Sequence, residues 1–467
     1  MMSSESNFAA PGESDIETIV AISTPPGRGG IGIVRLSGRE AGGIAEQLVT
    51  LRQPLEHARA RLADVLDATE NGAEPIDEAV VTFFAGPNSY TGEDLVEIAA
   101  HGSPVVLEML LRRALHLGAR LAEPGEFTQR AFLAGKLDLT QAEAVRDLIE
   151  AQTLTQARQA ASQMGGALSR RVLPVKQDLV ELIALLEAGI DFAEDDVDVT
   201  PREEIARRIG ELAPPLTALE ASFARGRIVH DGLTLAIVGR PNAGKSSLFN
   251  RLVERDRAIV TAIPGTTRDL VTERIALDGI PLELVDTAGL RETHEEVEQL
   301  GVARSREALA DAALVLVVLD ATEPLNDEER ALLAAAEGRP TLVAVNKSDL
   351  SASGPDLSAA QAVGLTALPT SALTGDGIAA LRECIVALAT GGASAEPGML
   401  TSLRHHQAIT NTQAALADAA QANANAIPHE MILIDLYRGL WALDSLTGQT
   451  TPDDILNLIF STFCIGK

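Results

Sequence analysis

The sequence is poor in aromatic residues and in cysteine. Phe, Trp and Tyr together make up 3% of its 467 residues, with one Trp and two Tyr. The hydrophobic cores must therefore be built mainly from Leu, Val, Ile and Ala. The two cysteines, Cys384 and Cys464, cannot form a disulfide framework, which indicates a reducing compartment.

Basic charge and long apolar runs are also scarce. Lys and Arg number 38 against 66 Asp and Glu, a formal net charge of −28. Bulk charge will not steer such a chain to nucleic acid, so an RNA partner must be met through a local basic patch or another subunit. The longest apolar run, 312–319, is too short to span a bilayer, and the polar, acidic start does not read as a signal peptide. We expect a soluble cytoplasmic protein with no membrane span.

What the sequence does contain is typical of a multidomain globular chain. Hydrophobic residues make up 46% and charged residues 22%. Its length predicts about three domains. The pattern predicts an α+β domain over 1–133, a helical region over 134–230, an α/β domain over 231–390 and further helices over 391–467. The simplest interpretation is an α/β domain inserted into a discontinuous all-α domain.

Several individual elements can be predicted. Short strands are expected over 18–22, 31–36 and 78–84, and a helix over 104–117. Thr91 and Asp94 fit either a helix start or the lead into a strand, and the pattern does not decide between them.

Two helix starts have recognisable chemistry. Thr140–Glu143 has the spacing of a capping box before an Ala-rich helix. Pro201 is predicted to be the first residue of another helix, with acidic residues in its first turn.

In the α/β region, buried strands are expected over 233–238, 313–320 and 341–345. The runs 273–277 and 281–285 flank Asp278-Gly279, which is typical of a β-hairpin.

Gly239–Ser246 fits the phosphate-binding pattern G-x-x-x-x-G-K-[ST] in full. It follows a predicted strand and opens a predicted helix, which is the context this motif requires. Its backbone amides can surround a phosphate chain, Lys245 can reach the β- and γ-phosphates, and the Ser246 hydroxyl can ligate Mg²⁺.

Further motifs follow in the order expected for a GTPase. Asp286–Gly289 ends one strand, Asn346–Asp349 follows another, and Ser371–Leu373 ends the last. A carboxylate such as that of Asp349 accepts hydrogen bonds from guanine N1–H and the 2-amino group, neither of which adenine offers. Thr266 and Thr267 lie where a threonine can complete Mg²⁺ coordination. The order resembles that of the Ras-like superfamily.

The residue that positions water for hydrolysis is less obvious. Leu290 occupies the position of the glutamine that orients water in Ras-like switches, and it cannot hydrogen-bond. Either an acidic residue of the polar stretch 291–298 could orient the water instead, or Arg291 could act as an internal arginine finger. Asn242 and the carbonyl groups of 260–267 could also enclose a monovalent cation beside the phosphates.

At this level of detail the sequence resembles one family, the MnmE (TrmE) tRNA-modification GTPases. The resemblance is carried by Thr24–Arg35, Gly86–Glu93, Pro124–Phe132, Lys136–Glu143, Gly239–Ser247, Pro264–Asp269 and Phe463–Lys467. The first and last blocks are more specific than the GTPase motifs, which many translation GTPases share.

The resemblance implies a multidomain fold: an N-terminal α+β folate-binding domain, a discontinuous helical domain and an inserted Ras-like GTPase domain. It implies a homodimer formed through the N-terminal domain, and a one-carbon unit supplied by 5-formyl- or 5,10-methylene-tetrahydrofolate. With a flavoprotein partner, MnmG (GidA), which carries FAD, such proteins add an aminomethyl-type group to C5 of the wobble uridine of certain tRNAs. It further implies GTPase domains that dimerise across the nucleotides and hydrolyse GTP faster when K⁺ is bound.

The resemblance also assigns residues. Folate contacts fall on Arg35, Glu97, Lys136 and Lys467. The K⁺ site falls on Asn242, Thr261, Ile263 and Thr266, the Mg²⁺ ligands are Ser246 and Thr267, and the water-orienting acid is Glu298. Cys464 matches the family's C-terminal cysteine and is a candidate catalytic residue together with Glu298 and Lys245. The candidate GTP-binding residues are Asn242, Ala243, Gly244, Lys245, Ser246, Ser247, Thr261, Ala262, Ile263, Pro264, Gly265, Thr266, Thr267, Asp286, Thr287, Ala288, Gly289, Asn346, Lys347, Asp349, Ser371 and Ala372.

An alternative is a pure assembly switch, like the GTPases of ribosome biogenesis, whose flanking domains only dock. The Arg35, Glu97 and Lys136 set and the terminal Cys-Ile-Gly-Lys argue against it, because a pure switch has no reason to carry them.

Overall fold

The computed structural model describes residues 17–69, 72–191, 201–253, 272–286, 312–336, 338–351, 357–362, 364–390, 396–448 and 466. The chain divides into two compact units, one comprising Met1–Arg146 with Thr447–Lys467 and the other Asp147–Leu446. No described helix is both long enough and apolar enough to cross a membrane. The boundaries of the four predicted segments stay predictions.

The first unit is built on a seven-stranded sheet with the order β3-β4-β5-β6-β2-β1-β7. All neighbours are antiparallel except β1 and β7. The strands are β1 Ile19–Ile22, β2 Gly29–Ser37, β3 Val49–Leu51, β4 Arg59–Thr69, β5 Gly72–Phe84, β6 Leu95–Gly102 and β7 Arg120–Leu121.

Four helices complete the described elements around this sheet. They are α1 Ala41–Leu48, α2 Pro104–His116, α3 Glu126–Leu133 and α4 Leu139–Glu150, whose last residues belong to the second unit. Apolar residues of β2, β6, α1 and α2 form the main core, as the alternation along the strands dictates. The undecided residues Thr91 and Asp94 precede a strand, since β6 begins at Leu95.

The predicted capping box at the start of α4 is wrong by two residues. Asp138 accepts a hydrogen bond from the backbone N–H of Gln141 at 2.9 Å, and the Gln141 side chain accepts one from the Asp138 N–H at 3.0 Å. An aspartate is at least as good a cap as a threonine. Thr140 lies inside the helix, buried and donating to Asp138.

The second unit combines a helical bundle with a mixed sheet. The helices are α5 Leu154–Met164, α6 Ala167–Asp191, α7 Arg202–Asp231, α8 Lys245–Val253, α9 Asp327–Ala335, α10 Ser358–Ala362, α11 Ile378–Thr390, α12 Leu403–Ala424 and α13 His429–Thr447. Buried Leu and Ile side chains of α6, α7, α12 and α13 form the bundle core, including Leu179, Leu216, Ile409 and Leu436. Each such side chain contributes roughly 1.5–3 kcal/mol when fully buried. Pro201 caps α7 instead of starting it, a shift of one residue.

The sheet of this unit has the strand order β13-β12-β11-β8-β10-β9. Its strands are β8 Leu233–Val238, β9 Thr272–Leu277, β10 Ile280–Asp286, β11 Leu314–Asp320, β12 Thr341–Asn346 and β13 Thr366–Pro369. All are parallel except β9, which pairs antiparallel with β10 through the predicted Asp278-Gly279 turn. The predicted buried strands and hairpin are confirmed. Since β10 and β11 flank β8 on opposite sides, the strand order reverses at β8, and ligands of such sheets bind at the carboxyl ends there.

Candidate functional site

The phosphate-binding loop lies at the carboxyl end of β8, where the sheet topology predicts a ligand. Asn242 and Gly244 adopt left-handed backbone conformations, with φ of +63° and +90°. Lys245, the first residue of α8, is buried, and its Nζ donates to the carbonyl oxygens of Gly239 and Arg240, both at 2.8 Å. These bonds fix the ammonium group within the phosphate-binding loop.

Asn346 joins this loop to the next motif. Its Nδ2 donates to the Ala243 carbonyl oxygen at 2.9 Å, and its Oδ1 accepts from the backbone N–H of Ala372 at 3.0 Å. The side chain is 1% exposed. A Cβ on Gly244 would come 2.2 Å from Asn346 Nδ2, so only glycine allows this approach. One amide thus holds three of the predicted GTP-binding segments together.

The expected base-recognition residues lie at the ends of β12 and β13. Lys347 Nζ donates to Asp320 Oδ2 at 2.7 Å, while Asp349 is exposed. Ser371 is buried, its N–H donates to the Asp376 carbonyl oxygen at 2.9 Å, and its Oγ accepts from Thr374 N–H at 3.1 Å. The backbone after β13 is therefore held by hydrogen bonds, and the Asp349 side chain after β12 is open to solvent.

Sequence reasoning missed Asp320 and Arg240. Burial tends to raise the pKa of Asp320, but hydrogen bonds from Lys347 and Thr322 outweigh it and lower the pKa to about 2. Arg240, inside the phosphate-binding loop, pairs with Glu323 at 2.8 Å and lies 3.5 Å from carboxylate oxygens of Asp320 and Glu329. A signal was present, because Asp320 is a charged residue ending a fully apolar strand at the carboxyl edge of the sheet.

Arg251 in α8 was also missed. Its guanidinium donates to the carbonyl oxygens of Ala372 at 3.2 Å and Leu373 at 2.8 Å. The helix that begins at the phosphate-binding loop therefore also holds the loop after β13. Nothing in the local sequence around Arg251 indicates this contact.

Many of the predicted residues lie outside the described part of the chain. These are the first switch segment, residues 254–271, which includes Thr261–Thr267, and the second switch segment, residues 287–300, which includes Thr287–Gly289 and Glu298. Asp286 ends β10, and its backbone is in register with Ile237 of β8. Of the proposed metal ligands, Ser246 is half-buried in the first turn of α8, and Asn242 is exposed in the loop before it.

A second cluster lies in the first unit and includes Arg35 and Glu97. These residues are direct partners across β2 and β6, and Arg35 donates twice to Glu97 Oε1, at 2.9 and 2.7 Å. The guanidinium lies 5.6 Å from the ring centroid of Phe127. Arg35 also donates to the carbonyl oxygen of Gly466 at 3.2 Å, and Ser23 donates to the same oxygen at 3.0 Å. The structure thus places the Gly466 carbonyl oxygen against Arg35, one of the predicted folate residues.

The other members of that prediction are less closely placed. Lys136 is exposed after α3, and a Cβ on Gly92 would lie 3.7 Å from its Cε. None of the contacts described joins Lys136 to Arg35 or Glu97. Cys464 and Lys467 lie outside the described residues.

Ion pairs centred on the buried Glu126, the residue before Phe127, were not predicted. Glu126 is 8% exposed and accepts from Arg120 at 2.7 Å and from Arg130 at 2.8 Å. Arg130 also donates to Glu93 at 2.9 Å. Burial tends to raise the pKa of Glu126, but the bonds from Arg120 and Arg130 lower it overall. The motif blocks at 86–93 and 124–132 are therefore joined by the ion pair between Glu93 and Arg130.

Comparisons with known proteins cover nearly the whole chain. Residues 139–464 match the family described as "MnmE helical domain", and residues 18–136 match "GTP-binding protein TrmE N-terminus". A protein of Koribacter versatilis named "tRNA modification GTPase MnmE" is 58% identical over 456 residues, which cover 97% of this chain and 99% of that protein. The chain belongs to the MnmE family.

Other MnmE proteins are more distant but match over the same length. The one from Symbiobacterium thermophilum is 44% identical, again over 97% of this chain and 99% of its own. Among solved structures, the G domain of the T. maritima FeoB iron transporter is 27% identical, with a TM-score of 0.26, and covers 34% of this chain and 98% of that chain. MnmE membership confirms the family resemblance and the multidomain organisation at the level of an N-terminal domain and a helical domain.

Proposed function

We propose that this MnmE protein is a potassium-activated GTPase that acts in tRNA modification. With a flavin-dependent partner (MnmG), it adds a carboxymethylaminomethyl or aminomethyl group to C5 of the wobble uridine of certain tRNAs. The one-carbon unit comes from tetrahydrofolate held by the first unit. The observation that carries the proposal is the match, over 97% of this chain, to a protein named tRNA modification GTPase. The structure supports it, because the phosphate-binding loop is braced by Lys245 and Arg35 is paired with Glu97.

The geometry around Lys245 supports GTP as the ligand. Its ammonium group, buried and braced by two carbonyl oxygens, lies where it can donate to the β- and γ-phosphates. Asp349 is exposed beside a backbone fixed by Asn346, so its carboxylate can accept from guanine N1–H and the 2-amino group. Glu298 is proposed to orient the attacking water, since Leu290 cannot.

The residues present also fit the proposed metals. Ser246, at the start of α8 beside Lys245, can ligate Mg²⁺ with Thr267. Asn242, at the left-handed bend of the loop, offers a hard oxygen for K⁺ together with Thr261, Ile263 and Thr266. When bound, the two cations supply positive charge where charge develops on the phosphates during hydrolysis.

The Arg35–Glu97 pair fits a folate. Both Arg35 bonds go to Oε1 of Glu97, so Oε2 is not used by this pair and can accept from the adjacent N–H groups of a pterin ring. Lys136 and Lys467 are proposed to meet the anionic part of the cofactor. Cys464 precedes Gly466 by two residues and is proposed to lie near the one-carbon unit.

The net charge of −28 bears on the partners. A chain this acidic repels the tRNA backbone at long range, so the flavoprotein is proposed to provide most of the RNA-binding surface. A homodimer formed through the first unit, acting in the cytoplasm, completes the proposal.

The decisive test is mass spectrometry of wobble nucleosides from cells that lack this gene. We expect the C5-substituted uridines to disappear and to return when the wild-type gene is supplied, but not when Lys245→Ala is supplied. Unchanged wobble nucleosides in the deletion strain would refute the proposed function. Modification restored by Lys245→Ala would separate GTP hydrolysis from the chemistry and contradict the proposed role of the GTPase site.

A further inference from the structure

The hairpin formed by β9 and β10 connects the two switch segments. β9 begins at Thr272, directly after the first switch segment, and β10 ends at Asp286, directly before the second. The two strands pair over their full length, from Thr272 opposite Val285 to Leu277 opposite Ile280. A hydrogen-bonded hairpin moves as one piece, so a displacement at its open end also moves its tip.

The tip of this hairpin rests on the first turn of α5. The Thr153 hydroxyl donates to the Gly279 carbonyl oxygen at 2.7 Å. A Cβ on Gly279 would come 2.1 Å from Thr155 Oγ1, so the backbone of the tip lies directly against the helix. Gly279 has a φ of +86°, which a residue with a side chain rarely adopts. Glycine is therefore required twice at this position, for the turn and for the contact.

The same turn of α5 also holds the lead into β8. Gln156 Nε2 donates to the His230 carbonyl oxygen at 2.7 Å. His230 lies in the last turn of α7, and β8, which starts at Leu233, runs into the phosphate-binding loop. One helix end thus contacts both the last turn of α7, which leads into β8, and the hairpin between the switch segments.

The contact to the hairpin is additional to what the helix itself needs. Thr153 and Gln156 form a capping box: Thr153 Oγ1 accepts from Gln156 N–H, and Gln156 Oε1 accepts from Thr153 N–H, both at 3.1 Å. Capping therefore uses only the acceptor function of the hydroxyl. The hydroxyl donates its single proton to the Gly279 carbonyl oxygen. The direction of the hydroxyl is fixed because Thr153 is buried, with 8% of the residue exposed.

We propose that Thr153 and Gln156 are positioning residues that couple the nucleotide state of the GTPase site to the helices of the second unit. When the switch segments rearrange on hydrolysis, the displacement passes along the hairpin to its tip at Asp278-Gly279, which lies beyond the residues 282–286 that pair with β8, and α5, bonded to that tip, moves with it. The inference rests on the proposed function, since it needs GTP hydrolysis as the source of the movement. It adds a residue-level route by which hydrolysis reaches helices outside the GTPase site.

Two substitutions separate this coupling from helix capping. Thr153→Asp keeps an excellent N-cap acceptor for Gln156 N–H but has no proton to give Gly279 at neutral pH. Gln156→Glu keeps the acceptor of the capping box but loses the donor to the His230 carbonyl. Thr153→Ser, which retains both functions of the hydroxyl, is the matched control.

The experiment is hydrogen–deuterium exchange with mass spectrometry on the full-length protein in KCl, with GDP and with GDP plus aluminium fluoride. In the wild type and in Thr153→Ser, peptides from α5 should exchange differently in the two nucleotide states. In Thr153→Asp that difference should be lost while GTP turnover stays within about twofold of wild type. With the partner and tRNA, uridine modification by Thr153→Asp should fall at least tenfold.

Two results would overturn the inference: equal exchange of α5 in both nucleotide states of the wild type, or a nucleotide-dependent difference that survives in Thr153→Asp. If Thr153→Asp does not fold by circular dichroism, Gln156→Glu carries the same test and the same outcomes decide it. Failure of the proposed function looks different, because wild-type protein would then show no GTP turnover or no modified uridine whatever α5 does.

Discussion

The side-chain amide of Asn346 donates to the carbonyl oxygen of Ala243 at 2.9 Å, so the segment proposed to recognise the base directly supports the phosphate-binding loop. Asn346→Asp has the same shape but replaces the Nδ2 donor with a carboxylate oxygen, which then faces the carbonyl oxygen of Ala243. A buried polar group left without a partner costs about 1–3 kcal/mol, so we expect nucleotide affinity to fall roughly 5- to 150-fold. Titration of fluorescent GDP measures this directly. The control is Asn411→Asp on the exposed surface of α12, and equal affinities for the two variants would contradict the assigned role.

Asp349 is exposed at the end of the loop that Asn346 fixes, and it should determine the choice of base. Asp349→Asn presents an amide donor where the carboxylate accepts, and xanthine carries a carbonyl where guanine carries its 2-amino group. We expect the preference to shift from GTP toward XTP. Competition of both nucleotides against a fluorescent analogue measures the shift, and a preference that stays with guanine would count against the base-recognition assignment.

Replacing Na⁺ with K⁺ should raise GTP turnover several-fold or more, because the proposed cage around Asn242 suits the larger ion. Asn242 has a φ of +63°, so alanine would add backbone strain, whereas Asn242→Gly keeps the bend and removes only the side-chain oxygen. This variant should lose the K⁺ stimulation while nucleotide affinity stays close to that of the wild type. Turnover measured at equal ionic strength in the two salts tests it. Identical rates for the wild type in both salts would eliminate the cation site.

Glu97 should contribute to folate binding through its charge. Glu97→Gln keeps the shape and one acceptor oxygen but loses the carboxylate that pairs with Arg35. Hydrogen bonds to charged groups contribute about 1.5–3 kcal/mol, so binding of 5-formyltetrahydrofolate should weaken about tenfold or more. Calorimetry on the full-length protein measures it, with Glu78→Gln on the neighbouring strand β5 as the control. Folate affinity unaffected by Glu97→Gln would remove this carboxylate from the site.

The sequence was most informative where a local pattern determines structure. The apolar runs of β8, β11 and β12 and the Asp278-Gly279 turn were predicted because strand burial and turn geometry depend on neighbouring residues alone. The phosphate-binding loop was predicted for the same reason. The capping box of α4 was misplaced because Asp138 and Thr140 are both acceptable caps, and only the packing of Thr140 into the core decides between them.

Contacts between distant parts of the chain could not be predicted in this way. The resemblance grouped Arg35 with the C-terminal segment, but it did not say that the Gly466 carbonyl is what Arg35 meets. The bonds of Lys347 to Asp320 and of Thr153 to Gly279 depend on how strands and helices pack, which no local pattern encodes. The proposed functional residues come from motifs and the family resemblance, whereas the residues that hold them in position needed the structure.

His230 gives the folded state a dependence on pH that can be measured. Its hydrogen bond to Asp147, opposed by burial and assisted by Asp231, raises its pKa from 6.5 to about 9. Because the folded pKa exceeds the unfolded one, the stabilisation is fully present below about pH 6.5 and is lost as the pH rises through 9.

The urea midpoint of the wild type should therefore exceed that of His230→Gln by a constant margin at pH 5.5–6.5, and the margin should shrink between pH 6.5 and 9.5. Glutamine can hydrogen-bond to Asp147 but cannot become charged, so the variant isolates the contribution of the proton. His116→Gln, an exposed imidazole in α2, controls for the loss of a histidine as such. A margin that stays constant across the whole range would mean that the imidazolium–aspartate pair does not stabilise the fold.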